Sequence, residues 1–207
     1  MSHATRAAAP IAALALVLAA VGCEFLDQPD TFDLPGASVR VSLTDDPSQD
    51  FASAEVSITR VYISRHGDDA SVVDLLEASE APQTVDLLRL RDNIETMIAE
   101  SAVPSGRYDK LNIVVDAAEV ELASGRSFLD GTASRLVEPP GDGGADIRVS
   151  LSEPLVVEDG LMTLVVVEFV VADSFLLASY PDEPDVVGEI RFEPVLVEKR
   201  RHDTPLG

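Results

Sequence analysis

The chain has 207 residues and a formal net charge of −22, because 37 acidic residues face only 15 lysines and arginines. A surface this acidic repels phosphate backbones, so we expect no nucleic-acid partner. Cys23 is the only cysteine, which excludes a disulfide within the chain and a site built from several thiolates.

Residues 1–22 have the pattern of an export signal. A short polar start with one cation, Arg6, is followed by an apolar run that ends at Gly22. The run is rich in alanine and shorter than the roughly 20 apolar residues that a spanning helix needs. We therefore expect a signal peptide over 1–22 rather than a membrane span.

The residues around Cys23 resemble the lipobox of bacterial lipoproteins, with the small residues Ala20 and Gly22 before the cysteine. That resemblance implies that Cys23 receives a thioether-linked diacylglycerol, with palmitate-type chains, and becomes the mature N-terminus. Two acyl chains make a stable anchor, whereas one gives only marginal binding. The alternative is an ordinary secretory signal in which Cys23 has no role.

After the signal we expect a lipidated N-terminus and flexible tether over 23–36, one domain over 37–199 and a polar tail over 200–207. Alternating apolar residues predict strands at 37–44 and 54–64, with a β-bulge at Thr59-Arg60. A helix is predicted at 92–100 from the capping pair Asp92 and Glu95 and from an apolar stripe. Further strands are predicted at 71–76, 84–90, 110–115, 119–122, 147–151, 161–171 and 189–197.

About nine or ten short strands with turn signals between them, and one short helix, predict an all-β fold, a single β-sandwich. A fold of βαβ units would need several crossover helices, for which the sequence shows no pattern.

Five short landmarks occur in a fixed order along the chain. They are LTDDP at 43–47, VDLL at 85–88, PSGRY at 104–108, Glu168-Phe169 with Asp173-Ser174, and EPV at 193–195. In this order they resemble the prokaryotic lipoprotein family of domain of unknown function 4382, over roughly residues 38–197. Asp46 stands where that family usually has Ala, and Glu168 where it usually has Asp.

The resemblance implies a transthyretin-like or carboxypeptidase-regulatory-like sandwich and no assigned activity. With the strand pattern, it leads us to expect a single antiparallel sandwich of immunoglobulin-like or transthyretin-like type, with one short helix.

Glu168 is the most notable polar residue, because it interrupts the apolar face of Leu164, Val166 and Val170. A buried lone carboxylate can mark a site. The alternative is a solvated face or a salt bridge. A glycosidase-type hydrolase would need a second carboxylate about 5–10 Å away.

Histidine and tyrosine offer little to a catalytic or sugar-stacking site. His66 falls in a predicted turn and His202 in the predicted tail, so neither indicates a catalytic or zinc site. Of the tyrosines, Tyr180 alone falls in an evident loop, which gives little support to sugar stacking.

Acidic clusters could supply the oxygen ligands that Ca²⁺ prefers. None has the spacing of an EF-hand, and we interpret them as turn residues. The clusters are Asp45, Asp46 and Asp50; Asp68 and Asp69; Asp142 and Asp146; and Asp182, Glu183 and Asp185.

Together these observations predict an exported protein that is lipid-anchored to the bacterial cell envelope, with the membrane and its face left open. We expect a non-catalytic binding or structural module that contacts a protein or polysaccharide through its loops, without a metal or cofactor. A calcium-dependent adhesion-type domain and a carboxylate-based hydrolase are the alternatives.

Overall fold

The structure is a computed structural model that describes residues 36–206 except 46–47, 66–67, 78–81, 92–93 and 142. Cys23, the predicted signal peptide and nearly all of the predicted tether lie outside the described residues. Among the described residues, no helix is long and apolar enough to cross a membrane.

Strands make up most of the described chain, with a short 3-10 turn at Leu87–Leu90 and one short helix, α1 (Val171–Ser174). The strands are β1 (Ser38–Asp45), β2 (Phe51–Arg65), β3 (Asp68–Leu76), β4 (Gln83–Asp86), β5 (Thr96–Ala102), β6 (Gly106–Leu122), β7 (Ser127–Phe128), β8 (Ser134–Val137), β9 (Ala145–Arg148), β10 (Leu155–Val157), β11 (Leu161–Phe169), β12 (Phe175–Tyr180), β13 (Glu183–Phe192) and β14 (Leu196–Pro205).

The strands form two large sheets and a small one. The first sheet has the order β14-β11-β1-β5 and the second the order β10-β6-β2-β3, with β4 on β2 and with β8 and β9 on β6. The third sheet is β12-β13-β7. Most pairs are antiparallel, but β1 runs parallel to β11 and β13 parallel to β7. The all-β sandwich prediction is confirmed.

The long pair β2·β6 forms the backbone of the second sheet. In β2 the buried positions change from even-numbered residues, Val56 and Ile58, to odd-numbered residues, Val61 and Ile63. The register skips Thr59, since Ile58 pairs with Val115 and Arg60 pairs with Val114. The predicted bulge is confirmed, and it keeps both halves of the strand facing the core.

An aromatic cluster joins the three sheets. Phe175 of β12 packs against Phe51 at 5.7 Å, Phe169 at 6.5 Å and Phe192 at 4.7 Å between ring centroids. All four rings are nearly inaccessible to solvent. Burial of four large rings from β2, β11, β12 and β13 holds the small sheet against the two large ones.

The helix predicted at 92–100 is wrong. Thr96–Ala102 is strand β5, which pairs antiparallel with β1. Of the expected apolar stripe, Ile98 is buried, but Ile94 and Met97 are 55% and 56% exposed. The free edge of β1 takes this segment as its partner, and the tertiary pairing overrides the local helical pattern. Among the described residues, the short α-helix is α1 instead.

The polar tail predicted for 200–207 is also wrong for its first six residues. Strand β14 continues to Pro205 and pairs with β11 from Phe169↔Leu196 to Leu161↔Pro205. The apolar strand β11 lies between β1 and β14, with a partner on each side, and β14 is the partner on the outer side.

Candidate binding sites

Glu168 lies on β11 and forms an ion pair. The Nζ of Lys199 donates a hydrogen bond to its Oε1 at 2.6 Å, and the Glu168 side chain is 21% exposed. Two further ion pairs lie on the same sheet. Arg40 of β1 pairs with Glu100 of β5, and Arg200 of β14 pairs with Glu95, the residue before β5. The structure therefore supports the salt-bridge interpretation of Glu168 over the lone buried carboxylate.

The acidic clusters predicted as turn residues are engaged in several ways where the structure describes them. Asp50 pairs with Arg126, Asp45 is buried, and Asp146 accepts hydrogen bonds from two side chains. Asp46, Asp142 and the side chains of Asp68 and Asp69 lie outside the described residues. The part of the chain that is described contains no group of three or more His, Asp or Glu side chains placed to hold a metal ion.

The remaining predicted positions are dispersed. Tyr108 is fully buried, and its hydroxyl donates to the carbonyl oxygen of Pro104 at 2.6 Å, which fixes the turn before β6. His202 lies on β14 opposite Leu164, and His66 lies outside the described residues. Tyr180 is 43% exposed, and its ring lies against Gly188.

A polar network crosses the outer face of the second sheet around Tyr62. The register aligns Arg148, Asn112, Tyr62 and Asp74 in one row across β9, β6, β2 and β3. The Tyr62 hydroxyl donates to Asp146 Oδ2 at 2.6 Å, and Asn112 Nδ2 donates to Asp146 Oδ1 at 2.8 Å. Cross-strand contacts of this kind hold a sheet in register.

The network also sets the protonation of Tyr62. The guanidinium of Arg60 lies 4.4 Å from the Tyr62 ring centroid and bonds Asp74 at 2.6 Å. Burial, followed by the hydrogen bond to Asp146, raises the pKa of Tyr62 to about 12. Tyr62 therefore acts as a hydrogen-bond donor at neutral pH and not as a base.

A cleft of about 240 Å³ opens beside this network. We name it the Tyr62 cleft. The side chains that line it come from four strands, and they are Tyr62, Ser64, Val72, Lys110, Asn112 and Arg148. An exposed tyrosine in a loop is visible in the sequence, but Tyr62 lies on a sheet face and gives no such signal.

A larger groove of about 530 Å³ lies between β8 and β13. It is lined by residues 135–138 and Pro140 on one side and residues 188–193 on the other. We name it the β8–β13 groove. Leu136 is 66% exposed at its side, whereas Val137 and Phe192 are buried. The groove therefore combines apolar surface with a charged rim.

Both strands that line the β8–β13 groove are edge strands there. In the described chain β8 pairs with β6 alone, and the second partner of β13, β7, reaches only Val186 and Val187. The backbone of β13 from residue 188 onward thus has no ladder partner on that side among the described residues. Open strand edges of this kind are templates for pairing with another chain.

Further exposed apolar residues lie next to Gly188, one of the residues that line the groove. Tyr180 packs on Gly188, and Leu129, whose backbone N–H bonds the carbonyl oxygen of Val187 at 3.2 Å, is 65% exposed. The Arg135 guanidinium is fixed at the rim, 4.0 Å from the Phe128 ring centroid. Leu129 and Tyr180 line a pocket of their own, and Tyr180 also touches Gly188 of the groove.

Comparison with known proteins identifies a family. A family model described as Domain of unknown function (DUF4382) matches residues 36–180, from two residues before β1 to the end of β12. This stretch contains four of the five landmarks, and the resemblance drawn from them is confirmed. No curated protein and no solved structure matches the chain.

Proposed function

The chain belongs to the family of Domain of unknown function (DUF4382), and we propose that it is a lipid-anchored protein of the bacterial cell envelope that binds a partner protein without catalysing a reaction. The family description assigns no activity, so the support comes from this chain. Cys23 after an export signal supports the anchor. The β8–β13 groove supports the binding role.

The groove carries the proposal because it offers two kinds of interaction at once. An extended peptide that adds to an open strand edge gains main-chain hydrogen bonds, and its alternate side chains enter apolar pockets. Single exposed apolar residues are normal on a protein surface. Leu136, however, lines a groove that two open strand edges flank, and Tyr180, which is 43% exposed, contacts Gly188 of the same groove.

Charge indicates the chemistry of the partner. The rim carries Glu138, Glu189 and Glu193 against Arg135 and Arg191, and the whole chain has a net charge of −22. Complementary potentials favour encounter and suppress wrong partners. We infer that the bound segment is an extended polypeptide with apolar residues at alternate positions and at least one Lys or Arg.

The two alternatives receive less support. The hydrolase depended on Glu168 as an unpaired buried carboxylate, and its ion pair with Lys199 removes that argument. The calcium-dependent adhesion domain predicts that millimolar calcium raises the thermal midpoint, because a ligand that binds the native state must stabilise it. An unchanged midpoint would reject that alternative.

Site-specific photo-crosslinking tests the groove. A photoreactive amino acid replaces Leu136 in the full-length protein in its native envelope, and the cross-linked peptide is identified by mass spectrometry. We expect one extended peptide with alternating apolar residues and a basic residue. Val156 is the matched control, because it is 49% exposed on β10, another edge strand paired with β6.

A second pair of variants measures binding directly. Leu136→Glu should abolish capture of the cross-linked partner, because it introduces a charge at the apolar groove. Val156→Glu should leave capture unchanged. If the two positions cross-link the same peptides, or if both substitutions act equally, the groove is not the binding site.

Acyl-chain labelling tests the anchor. The wild type should incorporate labelled palmitate, and Cys23→Ser should not, because the thioether needs the Cys23 sulfur. A label that persists in Cys23→Ser would contradict the lipid assignment.

A further inference from the structure

We propose that the Tyr62 cleft binds a uronic acid, that is, a sugar ring that carries a carboxylate. This site lies on β2, β3, β6 and β9 and is separate from the β8–β13 groove. The inference therefore adds a ligand to the proposed function and does not depend on the protein partner.

Two polar atoms at the cleft are buried and unsatisfied. Ser64 Oγ and Asn112 Oδ1 have no hydrogen-bond partner in the described part of the chain, and Ser64 is only 2% exposed. A buried polar atom without a partner is costly, so such atoms in native structures call for a hydrogen-bonding group, either water or a ligand. Both residues line the cleft, which places the missing partner there.

Positive charge at the same cleft favours an anion. Arg148 and Lys110 line it in a chain whose net charge is −22. Arg148 Nη2 donates to the carbonyl oxygen of Asp109 at 3.2 Å, which holds the guanidinium at the rim and uses one of its five N–H donors. Of the described carboxylates beside the cleft, Asp146 accepts hydrogen bonds from Tyr62 and Asn112, and Asp74 bonds Arg60.

The combination of groups distinguishes a uronic acid from simpler ligands. Inorganic phosphate could accept bonds from Arg148, and its dianion HPO4²⁻ keeps one hydroxyl that could donate to Asn112 Oδ1, but it has no apolar face for Val72. A neutral sugar supplies donor hydroxyls but no negative charge for Arg148. A sugar carboxylate supplies both, and Val72, which is 38% exposed, offers an apolar contact for the ring C–H groups.

The volume of the cleft limits the size of the bound group. About 240 Å³ is below the range of about 300–1,000 Å³ that is typical of drug-sized ligands. The cleft therefore holds one ring, and neighbouring rings of a polysaccharide would extend over the sheet face. Tyr62 does not stack with the sugar on the face that Arg60 covers.

Calorimetric titration of the full-length protein with glucuronate oligomers tests the proposal, with glucose oligomers and inorganic phosphate as the comparison ligands. We expect saturable binding of the glucuronate oligomer, at least about tenfold tighter than either comparison ligand. Arg148→Gln should weaken binding by about tenfold, because it removes a charge-assisted hydrogen bond.

Ser64→Ala separates a ligand contact from a structural role. It removes a hydroxyl that has no partner, so the thermal midpoint should not fall, while affinity for glucuronate should drop by about three- to tenfold. Arg89→Gln is the control for loss of a cation, since Arg89 is 85% exposed and outside the cleft.

Three results would overturn the proposal: no saturable binding of the glucuronate oligomer, equal binding of phosphate, or equal binding of glucose. Equal binding of phosphate would indicate a bare anion site, and equal binding of glucose a neutral sugar site. None of them affects the crosslinking result at Leu136, so failure here and failure of the groove are distinguishable.

Discussion

Glu198 is predicted to stabilise the fold through a buried carboxylate at the junction of β14 and the loop that carries Ser152. Its side chain is 5% exposed. Its Oε2 accepts hydrogen bonds from Ser152 N at 2.8 Å, Ser152 Oγ at 2.9 Å and Arg201 Nη2 at 2.8 Å. Burial alone would raise the pKa of Glu198, but the bonds from Ser152 and Arg201 outweigh burial and lower it below the ordinary value.

Glu198→Ala should lower the free energy of unfolding by about 3 kcal/mol. Removal of one partner from a buried ion pair costs about 3–5 kcal/mol. We expect the lower end because Arg201, 19% exposed, keeps its bonds to the carbonyl oxygens of Glu153 and Pro154. For a chain of this size, that change corresponds to a thermal midpoint lower by roughly 6–12 °C.

The effect should depend on pH in a defined direction. Because the folded pKa of Glu198 lies below its unfolded value, its contribution is complete above the unfolded pKa and is lost as the pH falls through the folded pKa. The difference between wild type and Glu198→Ala should therefore be largest near neutral pH and shrink in acid.

Urea unfolding followed by circular dichroism, near neutral pH and at about pH 3, measures both quantities. Glu193→Ala is the control, since Glu193 pairs with Arg191 at 3.1 Å but both side chains are more than half exposed. That pair should contribute less than about 1 kcal/mol. The reasoning is refuted if the two variants lose equal stability, or if Glu198→Ala costs as much in acid as at neutral pH.

Three further changes test other parts of the structure. Tyr62→Phe should remove a tyrosinate transition near pH 12 from an alkaline absorbance titration, because burial and the bond to Asp146 raise that pKa. The stability that this raised pKa contributes is complete below pH 10.0 and is lost as the pH rises through about 12. Coincident absorbance titration curves of the wild type and Tyr62→Phe would contradict the raised pKa of Tyr62. Phe175→Ala should lower the free energy of unfolding by about 3–5 kcal/mol and Phe175→Leu by clearly less, and equal losses would argue against the aromatic packing. Gly144→Ala should lower the thermal midpoint more than Gly131→Ala. Both glycines have a positive φ, but a Cβ at Gly144 would lie 2.7 Å from a backbone carbonyl oxygen of β6, whereas a Cβ at Gly131 would have nothing within 4 Å. Equal shifts would mean that backbone strain alone decides.

The parts of the fold that the sequence predicted are those where one strand face is buried. In β1, Val39, Val41 and Leu43 are fully buried at every second position, which is the pattern that identified the strand. The bulge in β2 was visible for the same reason, because the buried phase changes between Ile58 and Val61.

The failures occur at edge strands, where a local pattern carries little information. Strand β14 contains a run of charged residues from Glu198 to Asp203, which is common on an edge because charge discourages unwanted pairing. Composition alone therefore made it look like a tail. In β5, a pattern with helical spacing was misleading because only Ile98 of the stripe enters the core.

The Tyr62 cleft was beyond prediction for a different reason. Alternation in β2 and β6 places Tyr62 and Asn112 on outer faces, but no local pattern tells which strands are neighbours. The row from Arg148 to Asp74 exists because β9, β6, β2 and β3 pair in that order, and β9 and β3 lie about 70 residues apart in sequence. The strongest indication of a ligand, the unsatisfied Ser64 Oγ, depends on burial by those neighbours. Functional residues of a β-sandwich that lie on sheet faces therefore emerge only from the pairing of the strands, whereas an inspection of loops favours Tyr180 and passes over Tyr62.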